Sequence, residues 1–194
     1  MYRIKRRECV KNTVIMTVWG VLMVTVGIME HGEEIRQLIA FLFKSTGIKF
    51  CTGTCRSEKD YILLKAKKGQ HYDVLLENST ASEQNCTADY IHLINSDDVP
   101  LSNRDEKSLF ITYGLNSLAT ATASSIIEDG ESLRFQYCLQ RNIVSLKGKI
   151  IECQEFPVCI YKENLSLHCA LAFVTLALVC SVPAKGLENL IVKS

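Results

Sequence analysis

The sequence predicts an α+β membrane protein, in which two transmembrane helices flank a disulfide-stapled, mainly β extracellular loop domain. Three observations carry that expectation. Uncharged apolar runs stand near both ends, at residues 13–29 and 165–184. Lys and Arg gather just before the first run, at Arg3, Lys5, Arg6, Arg7 and Lys11. Six of the nine cysteines, with several Asn-x-Ser/Thr sequons, fall between the runs.

Each run is long enough to cross a bilayer as a helix. Short flanks rich in Lys and Arg stay cytoplasmic, so the first flank is expected inside. The second run is followed by Lys185 and Lys193 against Glu188, a weaker signal of the same sign. A cleaved signal peptide is the alternative for the first run, but Glu30-His31-Gly32-Glu33-Glu34 follows it rather than a small-residue cleavage site. For the second run the alternatives are a buried core helix, favoured by the break at Pro183, and a lipid-anchor tail. The polar continuation to Ser194 disfavours the latter. The expected division is a cytoplasmic tail at 1–12, a span at 13–29, an extracellular domain at 30–164, a span at 165–184 and a second cytoplasmic tail at 185–194. That is a multi-pass protein of the plasma membrane with both termini cytoplasmic and the lipid bilayer as a partner.

An even cysteine count in an exported loop reads as a disulfide framework. The candidates are Cys51, Cys55, Cys86, Cys138, Cys153 and Cys159, with pairing left open. Their spacings do not suit zinc, because His71 and His92 lie near neither cluster. Asn78 and Asn85 are glycosylation candidates within one polar stretch, and a third sequon at Asn164 abuts the second run. Cys9, beside the first run, is a palmitoylation candidate. Cys180 behaves as a small apolar residue, and Cys169 is either free or paired.

Strand patterns occupy residues 71–76, 90–94, 108–113, 133–139 and 149–153. Residues 95–100 and 128–131 are turn signals. Residues 116–127, rich in Ala, Ser and Thr, suit a short helix or a loose loop. From Glu33 to Lys44 the apolar positions Ile35, Leu38, Ile39 and Leu42 recur at helical spacing, with acids at the start and a lysine at the end. This helix either lies at the outer membrane interface or packs on the loop domain.

No catalytic motif is visible. There is no Gly-rich phosphate loop, no His-Glu-x-x-His and no nucleophile elbow, so no enzyme, metal or cofactor is expected. Asp97, Asp98 and Asp105 read as a solvated turn, and Glu30, His31, Glu33 and Glu34 as the solvated end of a helix. No concentrated basic face marks a nucleic-acid binder.

Several local patterns resemble one family. They are Phe50-Cys51-Thr52-Gly53-Thr54-Cys55, Val74-Leu75-Leu76-Glu77-Asn78-Ser79, Phe135-Gln136-Tyr137-Cys138, and Leu167-His168-Cys169 opening the second run. With two spans and a cysteine-rich loop, these are similar to the auxiliary β subunits of large-conductance calcium-activated potassium channels. The resemblance implies a regulatory subunit that modulates gating through its spans and loop, with a pore-forming channel α subunit as its partner. The alternative from another class is a cell-surface or secreted glycoprotein recognition domain. The only Trp, Trp19, lies in the first run, so that domain would lack the buried Trp of immunoglobulin domains.

Overall fold

The computed structural model describes residues 24–29, 34–45, 49–52, 61–78, 86–98, 108–161 and 165–191. Along the chain these form β1 (Val24–Met29), α1 (Glu34–Ser45), β2 (Phe50–Thr52), β3 (Tyr61–Lys65), β4 (His71–Glu77), β5 (Thr87–Asn95), β6 (Leu109–Tyr113), β7 (Ala121–Glu128), β8 (Ser132–Leu139), β9 (Ile143–Val144), β10 (Ile150–Ile151), β11 (Gln154–Tyr161), α2 (Leu167–Val179) and β12 (Asn189–Ile191). Ten strands make one sheet in the order β12-β11-β8-β7-β6-β5-β4-β1-β3-β2, and β9 pairs with β10 apart from it. β2 to β6 and β1 run parallel, β8 turns antiparallel between β7 and β11, and β12 lies parallel to β11.

Neither predicted membrane span is found where the structure describes it; residues 13–23 of the first run lie outside the described residues. The described end of the first run, residues 24–29, is not helical but the strand β1, paired in parallel with β3 on one side and β4 on the other. A central parallel strand is covered on both faces and therefore reads as an unbroken apolar run. The second run contains α2, thirteen residues long, which spans only about 20 Å at the usual helical rise. Among the described residues no helix is long and apolar enough to cross a membrane. α2 is apolar on every side because it is a core helix: every residue from Cys169 to Val179 is buried. The bilayer partnership and the multi-pass plasma-membrane placement rested on these spans and fall with them.

α2 is tied to both halves of the sheet. Its Thr175 hydroxyl donates to the Leu171 carbonyl at 2.7 Å and accepts from Tyr137 of β8 at 3.0 Å. At its far end the Cys180 carbonyl accepts from the Tyr61 hydroxyl of β3 at 3.1 Å. The helix then stops in a left-handed cap. Ser181 takes φ 67°, its N–H reaches the Leu178 carbonyl, and the Val182 N–H reaches that of Ala177, the paired bonds that close a helix end just before a proline such as Pro183. α1 packs beside α2 on the same face of the sheet. Ile35, Leu38, Ile39 and Phe43 join the strand residues Val26, Leu63, Val74, Leu76 and Leu93 in one core, so α1 lies on the sheet and not at a membrane interface.

A smaller cluster of Met29, Ala66, Tyr72, Leu75 and Ala88 fills the opposite face. It sits where β3 leads to β4 through residues 66–70, a very short link between parallel strands. Tyr72 holds that link: its hydroxyl accepts from the Lys67 N–H at 2.9 Å and donates to Gln70 at 2.8 Å.

The disulfide-stapled loop is likewise corrected. Among the described residues Cys86, Cys138, Cys153 and Cys159 carry free thiols, as does Cys180. Across the β8–β11 ladder Cys138 stands opposite Glu155 and Cys159 opposite Arg134, so neither meets a cysteine. Cys51 lies on β2, while Cys9, Cys55 and Asn85 lie outside the described residues. The thiols instead make local contacts: Cys86 with the Lys67 carbonyl at 3.2 Å and Cys153 with the Asn142 side chain at 3.3 Å.

Candidate functional site

From β1 the chain passes through α1 to β2 and β3 on one side, then returns to β4, β5 and β6 on the other. Such a reversal opens a crevice at the carboxyl ends of the strands, where open α/β sheets bind their ligands. Four elements end or begin beside it: β4 at Glu77, β5 at Asn95, β6 at Tyr113, and α2 at Leu167.

Polar side chains from these four elements form one network. Tyr113, wholly buried, shares its one hydroxyl proton between the Glu77 carbonyl at 3.0 Å and the Asn78 Oδ1 at 2.9 Å. Asn95, also wholly buried, donates to the Asn78 carbonyl at 3.2 Å and to Asp98 at 2.9 Å. The Asn78 amide reaches the Cys169 sulfur at 3.6 Å. Asn78, the glycosylation candidate, thus has both ends of its amide engaged at the close of β4.

Asp97 is the hub. Its carboxylate accepts from the Leu115 N–H at 2.6 Å, the Asn116 N–H at 3.0 Å, the Asn116 side-chain amide at 2.8 Å and His168 Nε2 at 2.9 Å. One residue therefore joins the turn after β5, the loop after β6 and the first turn of α2. The loop can approach only because Gly114 has no side chain. A Cβ there would lie 2.7 Å from the Asp97 carboxylate, and its φ of +154° is one that other residues rarely adopt. Burial acts to raise the Asp97 pKa, but the hydrogen bonds from Leu115, His168 and Asn116 outweigh it and hold the carboxyl below its ordinary value.

A carboxyl depressed on folding adds stability that is present above its unfolded pKa, about 4, and is lost as pH falls through the folded value. Urea unfolding of the wild type and Asp97→Asn should therefore differ most near neutral pH, with the gap closing below about pH 4. A gap that stays constant down to pH 2.5 would show that the Asp97 charge is not what stabilises the cluster.

A second acid–imidazole pair lies nearby. Glu77 of β4 and His92 of β5 meet at 3.1 Å, with both side chains about one-tenth exposed, and the Phe110 ring stacks on His92 at 5.6 Å. Among the described residues no group of three or more His, Cys, Asp or Glu side chains converges on a metal position.

The sequence reading treated Asp97 and Asp98 as a solvated turn and missed Asn95, Tyr113, Asn116 and His168. The available signal was positional. Asn95-Ser96-Asp97-Asp98 directly follows an apolar strand of a parallel sheet, at the end where sites form. Asp105 lies outside the described residues.

The sheet is an open α/β core whose strand order reverses between β1 and β4. No protein family and no curated protein matches the sequence. Solved structures do match in fold. They include MurF from Acinetobacter baumannii (TM-score 0.59, 11% identity, 86% of this chain and 46% of that one). A murein peptide ligase, Mpl, from Psychrobacter arcticus matches similarly (0.58, 11%, 84% and 45%), as does the MurF ligase of Thermotoga maritima in complex with ADP (0.54, 11%, 85% and 48%). The chain spans about half the length of these proteins.

At such identity the likeness is one of fold. It nonetheless overturns the channel-subunit reading, its channel α-subunit partner, and the alternative of a surface or secreted glycoprotein recognition domain. The expectation of no enzyme rested on missing motifs and loses its ground too, since the fold is one that ligases carry.

Proposed function

We propose that this chain is the ligand-binding core of a Mur-ligase-like protein, and that it holds an amino-acid or peptide-like substrate in the crevice at the carboxyl ends of β1, β4, β5 and β6. The observation that carries this reading is the convergence of Asn78, Asn95, Asp97, Tyr113 and His168 from four elements on that edge. These groups are amides, a carboxylate, a phenol and an imidazole, with no Lys or Arg among them. Such a set offers hydrogen bonds and negative charge, which suit an ammonium, amide or hydroxyl more than an anion. The named neighbours, among them a murein peptide ligase, make peptide-like compounds the first to try.

The test is ligand-observed NMR of the full chain against amino acids, dipeptides and N-acetyl amino sugars. Binding by at least one class is expected, weakened about tenfold or more by Asp97→Asn and by His168→Gln. Binding by none of them, or binding that both variants leave intact, would overturn the reading.

A further inference from the structure

Glu77, the last residue of β4, serves both faces of the sheet. Its backbone carbonyl lies in the crevice network and accepts from the Tyr113 hydroxyl at 3.0 Å. Its side chain turns the other way. Leu76 beside it and Leu93 of β5 belong to the core shared with α1 and α2, so strand alternation puts Glu77 and His92 on the reverse face. There Glu77 Oε2 meets His92 Nε2 at 3.1 Å, with the two side chains 10% and 11% exposed. Phe110, the register partner of His92 on β6, stacks on the imidazole. The same three strands carry Asn78, Asn95 and Tyr113 at their carboxyl ends.

We propose that Glu77 and His92 form a clamp on the reverse face that positions the crevice floor, and that the clamp tightens when His92 takes up a proton. For its effect on ligand the inference rests on the crevice reading above. Histidine is the side chain that changes charge between about pH 5 and 8. With the ring neutral, β4 and β5 share one hydrogen bond here. With the ring charged, they share an ion pair that solvent screens little at this burial. Just beyond it the same two strand ends are joined by the Asn95 amide, which donates to the Asn78 carbonyl at 3.2 Å. A change at the pair is therefore felt at both asparagines and at Tyr113.

Among the described residues, the groups that meet the pair leave the charge change to it. Met29 of β1 stands beside Glu77, and Phe110 and Thr112 of β6 stand beside His92 and Ile94. The Thr112 hydroxyl is already engaged with Thr120. The Cys86 thiol is pushed up by burial and then by the Glu77 charge, and Tyr90 precedes His92 by two residues on β5. A thiol and a phenol are both neutral near pH 6.

The experiment is an NMR titration of the isotope-labelled full chain from about pH 5.5 to 8, for the wild type, H92Q, E77Q and H168Q. Circular dichroism confirms that each variant is folded. In the wild type and H168Q, the side-chain amide signals of Asn78 and Asn95 should shift with the midpoint of the His92 ring signal. In H92Q and E77Q that shift should be lost. Wild-type amides that ignore the His92 midpoint would overturn the proposal, as would a folded H92Q that keeps the shift. If H92Q does not fold, E77Q is judged by the same loss. An amino-acid ligand that binds should do so about threefold or more weaker at about pH 8 than at about pH 6, a fall that H92Q flattens and H168Q does not. Equal affinities at both values would overturn the clamp's effect on the crevice. A screen in which nothing binds would defeat the substrate reading, while the amide shifts alone judge the clamp.

Discussion

Replacing Phe173 by alanine is expected to remove about 3–5 kcal/mol of folding free energy, the range for emptying a large aromatic site in a close-packed core. Phe173 lies at the middle of α2 and is 1% exposed. Its helix is buried on all sides, and Tyr137 and Tyr61 fix it to opposite halves of the sheet. The neighbours therefore have little freedom to collapse into the space, which places the cost high in the range. Guanidinium unfolding of the purified chain measures it as a fall in midpoint at unchanged slope. The outcome also separates the two readings of this segment. A lipid-facing phenylalanine could be truncated at small cost, so a loss under about 1 kcal/mol would count against α2 as the centre of the core.

How much of this was legible in the sequence depended on whether a segment has a solvent-facing side. α1 was readable because its apolar stripe has a polar back, and Glu34–Ser45 coincides with the periodic stretch from Glu33 to Lys44. β4, β5, β6 and β8 were placed by short apolar or alternating runs. β1 and α2 have no polar side, and an all-apolar segment cannot say whether lipid or protein surrounds it. Length did not decide it, since the second run is long enough for a bilayer and only the structure shows that its helical part is too short.

β7 was hidden by composition. Its Ala-Thr-Ala-Ser-Ser carries little strand preference, and the strand is set by pairing with β8. The cysteines misled because burial and disulfide bonding leave the same trace in a single sequence: Cys138 is simply a small buried side chain. The site was least legible of all. Asp97 gathers partners 18, 19 and 71 positions away, and no local pattern encodes such a meeting.

Gly27→Ala is expected to destabilise the fold by about 3 kcal/mol, although it adds a single methyl group. An ideal Cβ on Gly27 would lie 2.5 Å from the Tyr72 ring, closer than any real side-chain contact. The ring has little room to yield. It is 2% exposed, and its hydroxyl is held by Lys67 and Gln70 in the link that carries β3 over to β4. Its neighbour Asp73 is fixed as well, since the Thr25 N–H and hydroxyl both donate to that carboxylate, at 2.7 and 2.6 Å. β1 cannot retreat either, because it is hydrogen-bonded on both edges. For a chain of this size the loss corresponds to a fall in melting temperature of about 6–12 °C. A double-mutant cycle identifies the cause. Tyr72→Ala alone should be destabilising, but in its background Gly27→Ala should cost little, because the atoms it strikes are gone. Additive losses in the cycle would place the Gly27 requirement elsewhere than at the Tyr72 ring, and a single variant within about 0.5 kcal/mol of wild type would mean that β1 and β4 do not approach as closely as the structure has them.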